Sequence, residues 1–302
     1  GRANRSVVDF DLHHRLAREA ASRSIVLLKN NGDLLPLSPE RSVAVVGSFA
    51  HDPRYQGGGS SHVNPTRLDV PVDEIRAAGG TVTYAQGFST DGSPVDTADA
   101  IAAAADADAA VLFLGLAAAQ ESEGFDRDDI ELPADQVELL TAILAVQPRT
   151  VVVLAHGGVL RLGSIAAAPA ILDGALLGQA GGGAIADVLF GAVNPSGRLT
   201  ETVPVRLQDT PAYLNFPNEN SHIRYGEGIF VGYRWYDARD IEIAYPFGHG
   251  LSYTTFEYSD LSVASDDPGV TGVVAGLTVT NTGSRAGRDI VQVYTSKPDS
   301  RV

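Results

Sequence analysis

The sequence predicts an α/β fold, in which a parallel-rich α/β sandwich domain is followed by the first part of a β-sandwich. Short apolar runs alternate with amphipathic helical patterns over the first two thirds of the chain, as in a parallel sheet covered by helices. From residue 256 onward, strands that alternate apolar and polar residues are separated by turn signals. We expect an α/β domain over residues 1–207, an aromatic-rich connector over 208–250 and a partial β-sandwich over 251–302.

Hydrophobic periodicity predicts the elements of the first domain. Five short apolar or β-branched runs are predicted to be strands: residues 42–47, 81–84, 110–115, 150–154 and 170–177. Helical spacing predicts helices at residues 9–23, 73–78, 97–105, 132–144 and 178–190. In the first helix, Leu12, Leu16 and Ala20 fall on one face, and residues 24–37 are predicted to leave that helix through an Asn-Gly turn.

The β-sandwich pattern is confined to the end of the chain. Strands are predicted at residues 276–283 and 289–294, after a first strand that begins at Phe256. About three strands are too few to close a core between two sheets, so we expect this β-sandwich to be incomplete within the chain.

Composition and charge narrow the class of protein. The chain has 302 residues, 44% of them hydrophobic, without an apolar run near the roughly 20 residues that a membrane span needs. A net charge of −15 argues against nucleic acid and anionic membranes as partners, since both attract clustered lysine and arginine. The absence of cysteine excludes thiolate metal sites and fits both a cytoplasmic and an exported location. Because the chain lacks methionine and begins at Gly1, we expect a piece of a longer product.

The acidic segment after the strand at 110–115 is the leading candidate for a functional site. Residues 121–127 read Glu-Ser-Glu-Gly-Phe-Asp-Arg and follow a predicted parallel strand, at whose carboxyl end open α/β sheets carry their ligand sites. Such a segment can present a mobile acid beside groups that orient it. A solvated acidic loop fits these residues equally well. The carboxylates between residues 126 and 131 also leave a calcium site open, although no EF-hand spacing supports one.

Two further loops follow predicted strands. Residues 56–62 read Gln-Gly-Gly-Gly-Ser-Ser-His, and the glycines let this backbone approach a ligand closely. Neither G-x-G-x-x-G nor a Walker lysine supports phosphate binding there. Residues 156–158 read His-Gly-Gly, which we interpret as a strand-end turn, because the nucleophile elbow of esterases does not occur in the sequence.

Four sequence blocks carry a resemblance to a known enzyme family. They are the Ser-Ile-Val-Leu-Leu-Lys-Asn segment with Leu-Leu-Pro-Leu at 24–37, the Glu-x-Glu-Gly-x-Asp-Arg segment at 121–127, the segment at 185–199 that ends in Asn-Pro-Ser-Gly-Arg-Leu, and the aromatic-rich segment at 225–253. Together these blocks resemble the second and third domains of a glycoside hydrolase family 3 β-glucosidase. The resemblance covers nearly the whole chain.

This resemblance implies that the catalytic groups are divided between domains. In the family, an N-terminal TIM-type barrel supplies the nucleophilic aspartate, an α/β sandwich domain supplies the acid/base glutamate, and a fibronectin type III domain follows. Glu123 stands at the position of the acid/base residue, and Ser60 stands at a position that contacts the sugar in the −1 subsite. Because this sequence contains no segment similar to the barrel, we expect the barrel and its nucleophile in another part of the protein. No cofactor and no metal are implied.

The implied activity is that of a retaining, exo-acting β-glucosidase that acts on terminal β-D-glucosyl residues of a β-glucoside or oligosaccharide. This chemistry requires two carboxyl groups roughly 5–5.5 Å apart. We expect Glu121 and Asp126 to raise the pKa of Glu123, and Arg127 to lower it. An ion pair between Asp126 and Arg127 is predicted to hold the loop, and Glu121 is the alternative acid.

Several alternatives stay open at this point. The chain can belong to a β-xylosidase or another family 3 glycosidase, or it can be an inert carbohydrate-binding remnant. Leu177 replaces a tryptophan that is frequent in relatives, which leaves contacts on the aglycone side unassigned. A homodimer is also left open.

Overall fold

The computed structural model describes residues 8–218, 220–264, 272–297 and 299–300. Aliphatic and β-branched runs form the strands of the first part, and residues with helical spacing form the helices between them. The strands are β1 (Val26–Asn30), β2 (Val43–Val46), β3 (Val82–Ala85), β4 (Ala109–Gly115), β5 (Thr150–Ala155) and β6 (Ala170–Asp173). The helices are α1 (Phe10–Ser24), α2 (Pro71–Ala78), α3 (Ala98–Asp106), α4 (Ala134–Val146) and α5 (Gly181–Leu189).

These six strands form one sheet in the order β1-β6-β5-β4-β2-β3. Strands β2 to β6 are parallel, and β1 pairs antiparallel with β6 at one edge. All residues of β2 and β4 are buried, because helices cover both faces of a parallel sheet. The edge strand β3 is only partly buried. The predicted parallel-rich α/β fold class is therefore confirmed.

The direction in which strands are added to the sheet reverses between β2 and β4. From β2 the chain crosses to β3 at the edge, and it then returns to β4 on the other side of β2. Right-handed crossovers that run in opposite directions place their helices on opposite faces, so α2 and α3 cover different faces of the sheet. Consistent with this, α2 packs with α5, and α3 packs with α4. The crevice outside the carboxyl ends of β2 and β4 is a topological switch point.

Two strand assignments differ from the sequence analysis. Residues 26–30, for which the sequence analysis gives no strand, form the edge strand β1 because β6 offers them an antiparallel partner. The strand predicted over residues 170–177 ends at Asp173. The Gly174 N–H still donates to the Leu154 carbonyl at 3.1 Å, and the chain then leaves the extended conformation at Ala175, which has a φ of +44°.

Helix α1 buries a different face from the one that its leucines predict. Asp9 caps the helix by accepting a hydrogen bond from the Leu12 N–H at 2.9 Å. Leu12 and Leu16 are 51% and 61% exposed, whereas His14 is buried. The His14 Nε2 atom lies 3.0 and 3.1 Å from the two carboxylate oxygens of Asp69. A polar contact with a distant loop therefore fixes the rotation of α1, and the apolar stripe does not.

The rest of the chain adds strands β7 (Val203–Pro204) and β8 (Ile243–Tyr245), helix α6 (Tyr233–Arg239), and the antiparallel pair β9 (Phe256–Ala264) and β10 (Val274–Asn281). Residues 289–294, which are predicted as a strand, do not form one. Asp289 instead bonds Arg198 and Tyr258, so side-chain contacts hold this segment. Across the described ranges, none of the helices has both the length and the apolar character that crossing a membrane requires.

Candidate active site

The two loops that the sequence predicts as ligand loops lie beside each other at the switch point. We name residues 56–63, which come after β2, the glycine loop, and residues 116–133, which connect β4 to α4, the acidic loop. Strands β2 and β4 are hydrogen-bonded neighbours, so both loops leave the same edge of the sheet side by side. This position is where ligands bind in open α/β sheets.

Gly115 fixes the point at which the acidic loop leaves β4. Its backbone N–H donates to Gln136 Oε1 at 2.8 Å, and its carbonyl accepts from Gln136 Nε2 at 2.9 Å. Gln136 is buried, so both hydrogen bonds are shielded from water. A Cβ atom on Gly115 would lie 1.9 Å from the Ala155 carbonyl oxygen, so only glycine lets β4 approach β5 this closely.

Glu121 anchors the acidic loop to the end of β5. Its Oε2 accepts the Gly157 N–H at 2.6 Å, and its Oε1 accepts the Gly158 N–H at 2.9 Å. The same carboxylate lies 3.8 Å from Arg54 Nη1 and 3.5 Å from Arg127 Nη1, and its side chain is only 9% exposed. The solvated acidic loop left open by the sequence is therefore wrong for Glu121. This carboxylate is fully engaged by internal partners.

The turn at residues 156–158 is a strand-end turn, as predicted. Its two glycine N–H groups point at Glu121 and are not free to bind an oxyanion. His156 Nδ1 lies 2.7 Å from the Gly158 carbonyl, and Nε2 lies 3.1 Å from Asp173 Oδ1. Burial disfavours the charged ring, but the bonds to Asp173 and to the Gly158 carbonyl outweigh it and raise the pKa of His156. Both ring nitrogens face acceptors, which suits the protonated form.

Arg54 is a residue of this site that sequence reasoning missed. Its guanidinium donates to the carbonyls of Gln56 (3.2 Å), Leu116 (3.3 Å) and Glu121 (3.1 Å), which ties the glycine loop to the acidic loop. The Arg54 side chain is 7% exposed. Burial lowers the pKa of Arg54, although the negative charge of Glu121 acts to raise it. No sequence signal marks Arg54, because most of its partners are backbone carbonyls.

Glu123 presents an exposed carboxylate in the acidic loop. Its Oε2 accepts the Ser60 backbone N–H at 2.7 Å, so the two loops meet at this residue. Hydrogen bonding by the hydroxyl and the backbone N–H of Ser60 holds the pKa of Glu123 below its ordinary value. The prediction that neighbouring carboxylates raise this pKa is wrong for the chain as described. The charge of Glu121 is matched by Arg54 and Arg127.

The predicted ion pair between Asp126 and Arg127 is also wrong. Arg127 Nη1 donates to the Val159 carbonyl at 3.1 Å and lies 3.5 Å from Glu121 Oε1. Asp126 is exposed, and no ion pair of the described residues includes it. Arg127 turns inward because Glu121 is a buried charge that requires a partner, whereas Asp126 is solvated. Arg127 therefore supports the loop through Glu121.

The calcium site that the sequence leaves open finds no support in the arrangement of these side chains. Glu131 forms an ion pair with Arg161, and Asp129 accepts the Glu131 backbone N–H at 2.9 Å. Over the residues that the structure describes, no group of three or more His, Asp or Glu side chains could hold a metal ion.

Comparison with known proteins decides the family. Residues 25–253 match the domain described as the glycosyl hydrolase family 3 C-terminal domain. The chain belongs to glycoside hydrolase family 3. Among curated family 3 relatives, thermostable β-glucosidase B of Acetivibrio thermocellus is 48% identical over 301 residues, covering 97% of this chain and 40% of that protein. Exo-α-(1→6)-L-arabinopyranosidase of Bifidobacterium longum is 44% identical over 299 residues, covering 95% of this chain and 39% of that protein.

Solved structures of family 3 enzymes share the fold. A GH3 β-glucosidase from Bifidobacterium adolescentis superposes with a TM-score of 0.89 at 46% identity, covering 93% of this chain and 42% of that one. DesR, a β-glucosidase from Streptomyces venezuelae in complex with D-glucose, gives a TM-score of 0.85 at 28% identity, covering 94% of this chain and 50% of that one. The chain thus spans between 39% and 50% of the length of these relatives.

Proposed function

We propose that this chain carries the general acid/base of a retaining, exo-acting β-glucosidase, and that this residue is Glu123. The observation that carries the proposal is the contrast between Glu121 and Glu123 in the acidic loop. Glu121 is buried and bound on both oxygens, whereas Glu123 presents its carboxylate at the open crevice of the switch point. The β-glucosidases that match most of this chain support the reaction class.

The proposed reaction has two steps with Glu123 in opposite protonation states. In the first step, protonated Glu123 gives its proton to the glycosidic oxygen, the bond from C1 to that oxygen breaks, and an aspartate carboxylate bonds to C1. In the second step, ionised Glu123 takes a proton from water. The water oxygen bonds to C1, and the aspartate leaves with the configuration retained. The aspartate belongs to a barrel domain that the 302 residues do not contain.

The contact between Glu123 and Ser60 bears directly on these protonation states. Hydrogen bonds from Ser60 favour the ionised carboxylate, which is the form that the second step uses. A negatively charged aspartate roughly 5–5.5 Å away would raise the pKa of Glu123, because two like charges disfavour each other. In this proposal it is the charge of the nucleophile that raises the pKa of Glu123 and keeps it protonated for the first step, and not the charge of Glu121 or Asp126.

The same proposal divides the chain into an α/β domain (1–207), a connector (208–250) and the beginning of a fibronectin type III-like domain (251–302). Leu214 and Tyr225 of the connector are 91% and 80% exposed. Large apolar side chains that are solvated in this chain suit a segment that packs against another part of the protein.

The experiment is the Glu123→Ala variant of the full-length enzyme, assayed on aryl β-glucosides whose leaving groups differ in acidity. Removing general-acid help should slow substrates with basic leaving groups by about 10²–10⁴-fold. A dinitrophenyl glucoside needs no proton to depart, so it should show a burst followed by an accumulated glycosyl-enzyme. Azide needs no base, so it should restore turnover and give the β-glycosyl azide.

Glu121→Gln is the matched control, since it changes the glutamate two residues before Glu123 while one oxygen acceptor remains. We expect no azide rescue in this variant. Rescue of Glu121→Gln in place of Glu123→Ala would contradict the assignment of the acid. An α-glycosyl azide would contradict the retaining mechanism.

A second candidate function is exo-acting arabinopyranosidase activity. It is favoured by the 44% identity to the exo-α-(1→6)-L-arabinopyranosidase of Bifidobacterium longum, close to the 48% identity to β-glucosidase B. The ratio of kcat/KM between an aryl β-D-glucopyranoside and an aryl α-L-arabinopyranoside separates the two. An aryl β-D-xylopyranoside in the same series tests the xylosidase alternative.

A further inference from the structure

The glycine loop makes a contact with the acid that is distinct from binding a sugar. Ser60 stands, by resemblance, at a position that contacts the −1 sugar. In this structure its backbone N–H instead donates to Glu123 Oε2 at 2.7 Å. Among the described residues, the groups that hydrogen-bond the Glu123 carboxylate both belong to Ser60, namely its backbone N–H and its hydroxyl. The Ser60 peptide is therefore engaged with the catalytic group itself.

Two glycines make this contact sterically feasible. A Cβ atom on Gly59 would lie 2.5 Å from Glu123 Cβ and 2.7 Å from Glu123 Oε2. Gly59 also has a φ of +71°, which disfavours other residues. A Cβ atom on Gly58 would lie 2.8 Å from Ser122 Oγ. The acidic loop therefore contacts the backbone of residues 58–60 directly.

Hydrogen bonds between its first and last residues hold the glycine loop together. Gln56 Nε2 donates to the Val63 carbonyl at 3.0 Å, and the Val63 N–H donates to Gln56 Oε1 at 2.9 Å. Arg54 then joins this loop to the acidic loop through the carbonyls of Gln56 and Glu121. Arg54 therefore connects the glycine loop to the acidic loop at a second place, in addition to the contact between Ser60 and Glu123.

We propose that the Gly58–Ser60 turn positions Glu123 and that the Ser60 N–H stabilises its ionised form for the second, base-catalysed step. An N–H group can only donate, and it donates more strongly to a carboxylate than to a neutral carboxyl group. Glu123 is the catalytic residue and Ser60 is a positioning residue. This inference rests on the proposed function of Glu123, and it is separate from the sugar contact implied for Ser60.

The test is Gly59→Ala in the full-length enzyme, because the new methyl group pushes the Glu123 side chain off the Ser60 peptide. We expect kcat on a dinitrophenyl glucoside, which reports the base-catalysed step, to fall by about 10-fold or more. KM should fall with it as the glycosyl-enzyme accumulates, and azide should restore turnover. The alkaline limb of the kcat/KM profile should move to higher pH, because the acid form is no longer opposed by the Ser60 bond.

Gly178→Ala is the matched control. Gly178 has a φ of +74° and no atom within 4 Å of a Cβ, so the variant carries the same backbone strain without touching the acidic loop. It should retain the parental kinetics and pH profile. If Gly59→Ala does not fold, Gly58→Ala serves instead. Its methyl group would lie 2.8 Å from Ser122 Oγ and 3.2 Å from Ser122 Cβ, so it presses on the residue next to Glu123 and should show the same pattern to a smaller extent.

A role in sugar binding predicts a different outcome. In that case kcat/KM of Gly59→Ala would fall by the same factor for all leaving groups, KM would rise, azide would not help, and the pH profile would not move. That result overturns the inference. If Glu123→Ala itself shows no azide rescue, the proposed function fails; if Glu123→Ala is rescued and neither glycine variant is, only the inference fails.

Discussion

Glu121 and Glu123 lie two residues apart, and the structure predicts opposite consequences for their removal. Glu121→Ala should destabilise the fold, because the carboxylate is the common acceptor for two backbone N–H groups and two arginines. Glu123→Ala should leave the stability of the 302-residue chain unchanged. Its carboxylate is exposed to solvent, and its partners are the N–H and the hydroxyl of Ser60, which water can satisfy equally well.

The magnitude follows from the groups that Glu121→Ala leaves without a partner. Arg54 is 7% exposed and would remain as a buried cation, and the N–H groups of Gly157 and Gly158 would lose their acceptor. Removing one member of a buried charge pair costs about 3–5 kcal/mol, which already includes the unpaired neighbours. For a chain of this size, about 2 °C in Tm corresponds to 1 kcal/mol, so Tm should fall by about 6–10 °C.

The assay is thermal unfolding of the chain followed by circular dichroism, with Glu121→Gln and Glu123→Ala measured in parallel. Glu121→Gln keeps one oxygen acceptor but loses the charge, so its Tm should lie between those of the parent and Glu121→Ala. The reasoning is refuted if Tm of Glu121→Ala stays within about 1 °C of the parent, because then the carboxylate does not hold the loop. It is also refuted if Glu123→Ala is the less stable variant.

Further predictions test other parts of the molecule. Gln136→Leu should lower the free energy of unfolding in urea by about 2–4 kcal/mol, because the buried N–H and C=O of Gly115 lose their partners. Because the pKa of His156 is raised, its pair with Asp173 stabilises the fold fully below pH about 6.5, and this stabilisation is lost as the pH rises through the raised pKa. Asp173→Asn should therefore make the free energy of unfolding depend less on pH in that window. The chain alone should hydrolyse no aryl β-glucoside, since the proposed function assigns the nucleophilic aspartate to another domain; Glu123-dependent turnover would contradict this. Backbone amides of β10 should exchange hydrogen faster than those of β5, because among the described strands β10 pairs only with β9, whereas β5 lies between β6 and β4. Equal protection of the two strands, measured by mass spectrometry, would count against an open β-sandwich edge.

Local patterns were sufficient for the fold class and for the position of the candidate acid. Strand β4 is a continuous apolar run, and the acidic loop follows it directly, so the sequence alone places Glu123 at the carboxyl end of a parallel strand. The glycine run that contacts this loop is equally visible as Gly-Gly-Gly-Ser-Ser. These features depend on residues close together in the chain, which periodicity and turn chemistry report directly.

Contacts between residues far apart in the chain determine how the two loops meet and which partners Glu121, Glu123 and Arg127 have. The strand order brings the loops after β2 and β4 together, and only then does Ser60 meet Glu123, 63 positions away. The same folding buries Glu121 against a turn 36 positions away, and turns Arg127 toward it and away from Asp126. A linear pattern of charges does not distinguish Glu121, which anchors the loop, from Glu123, the candidate acid. Desolvation and the available partners separate them, and both are properties of the packed chain.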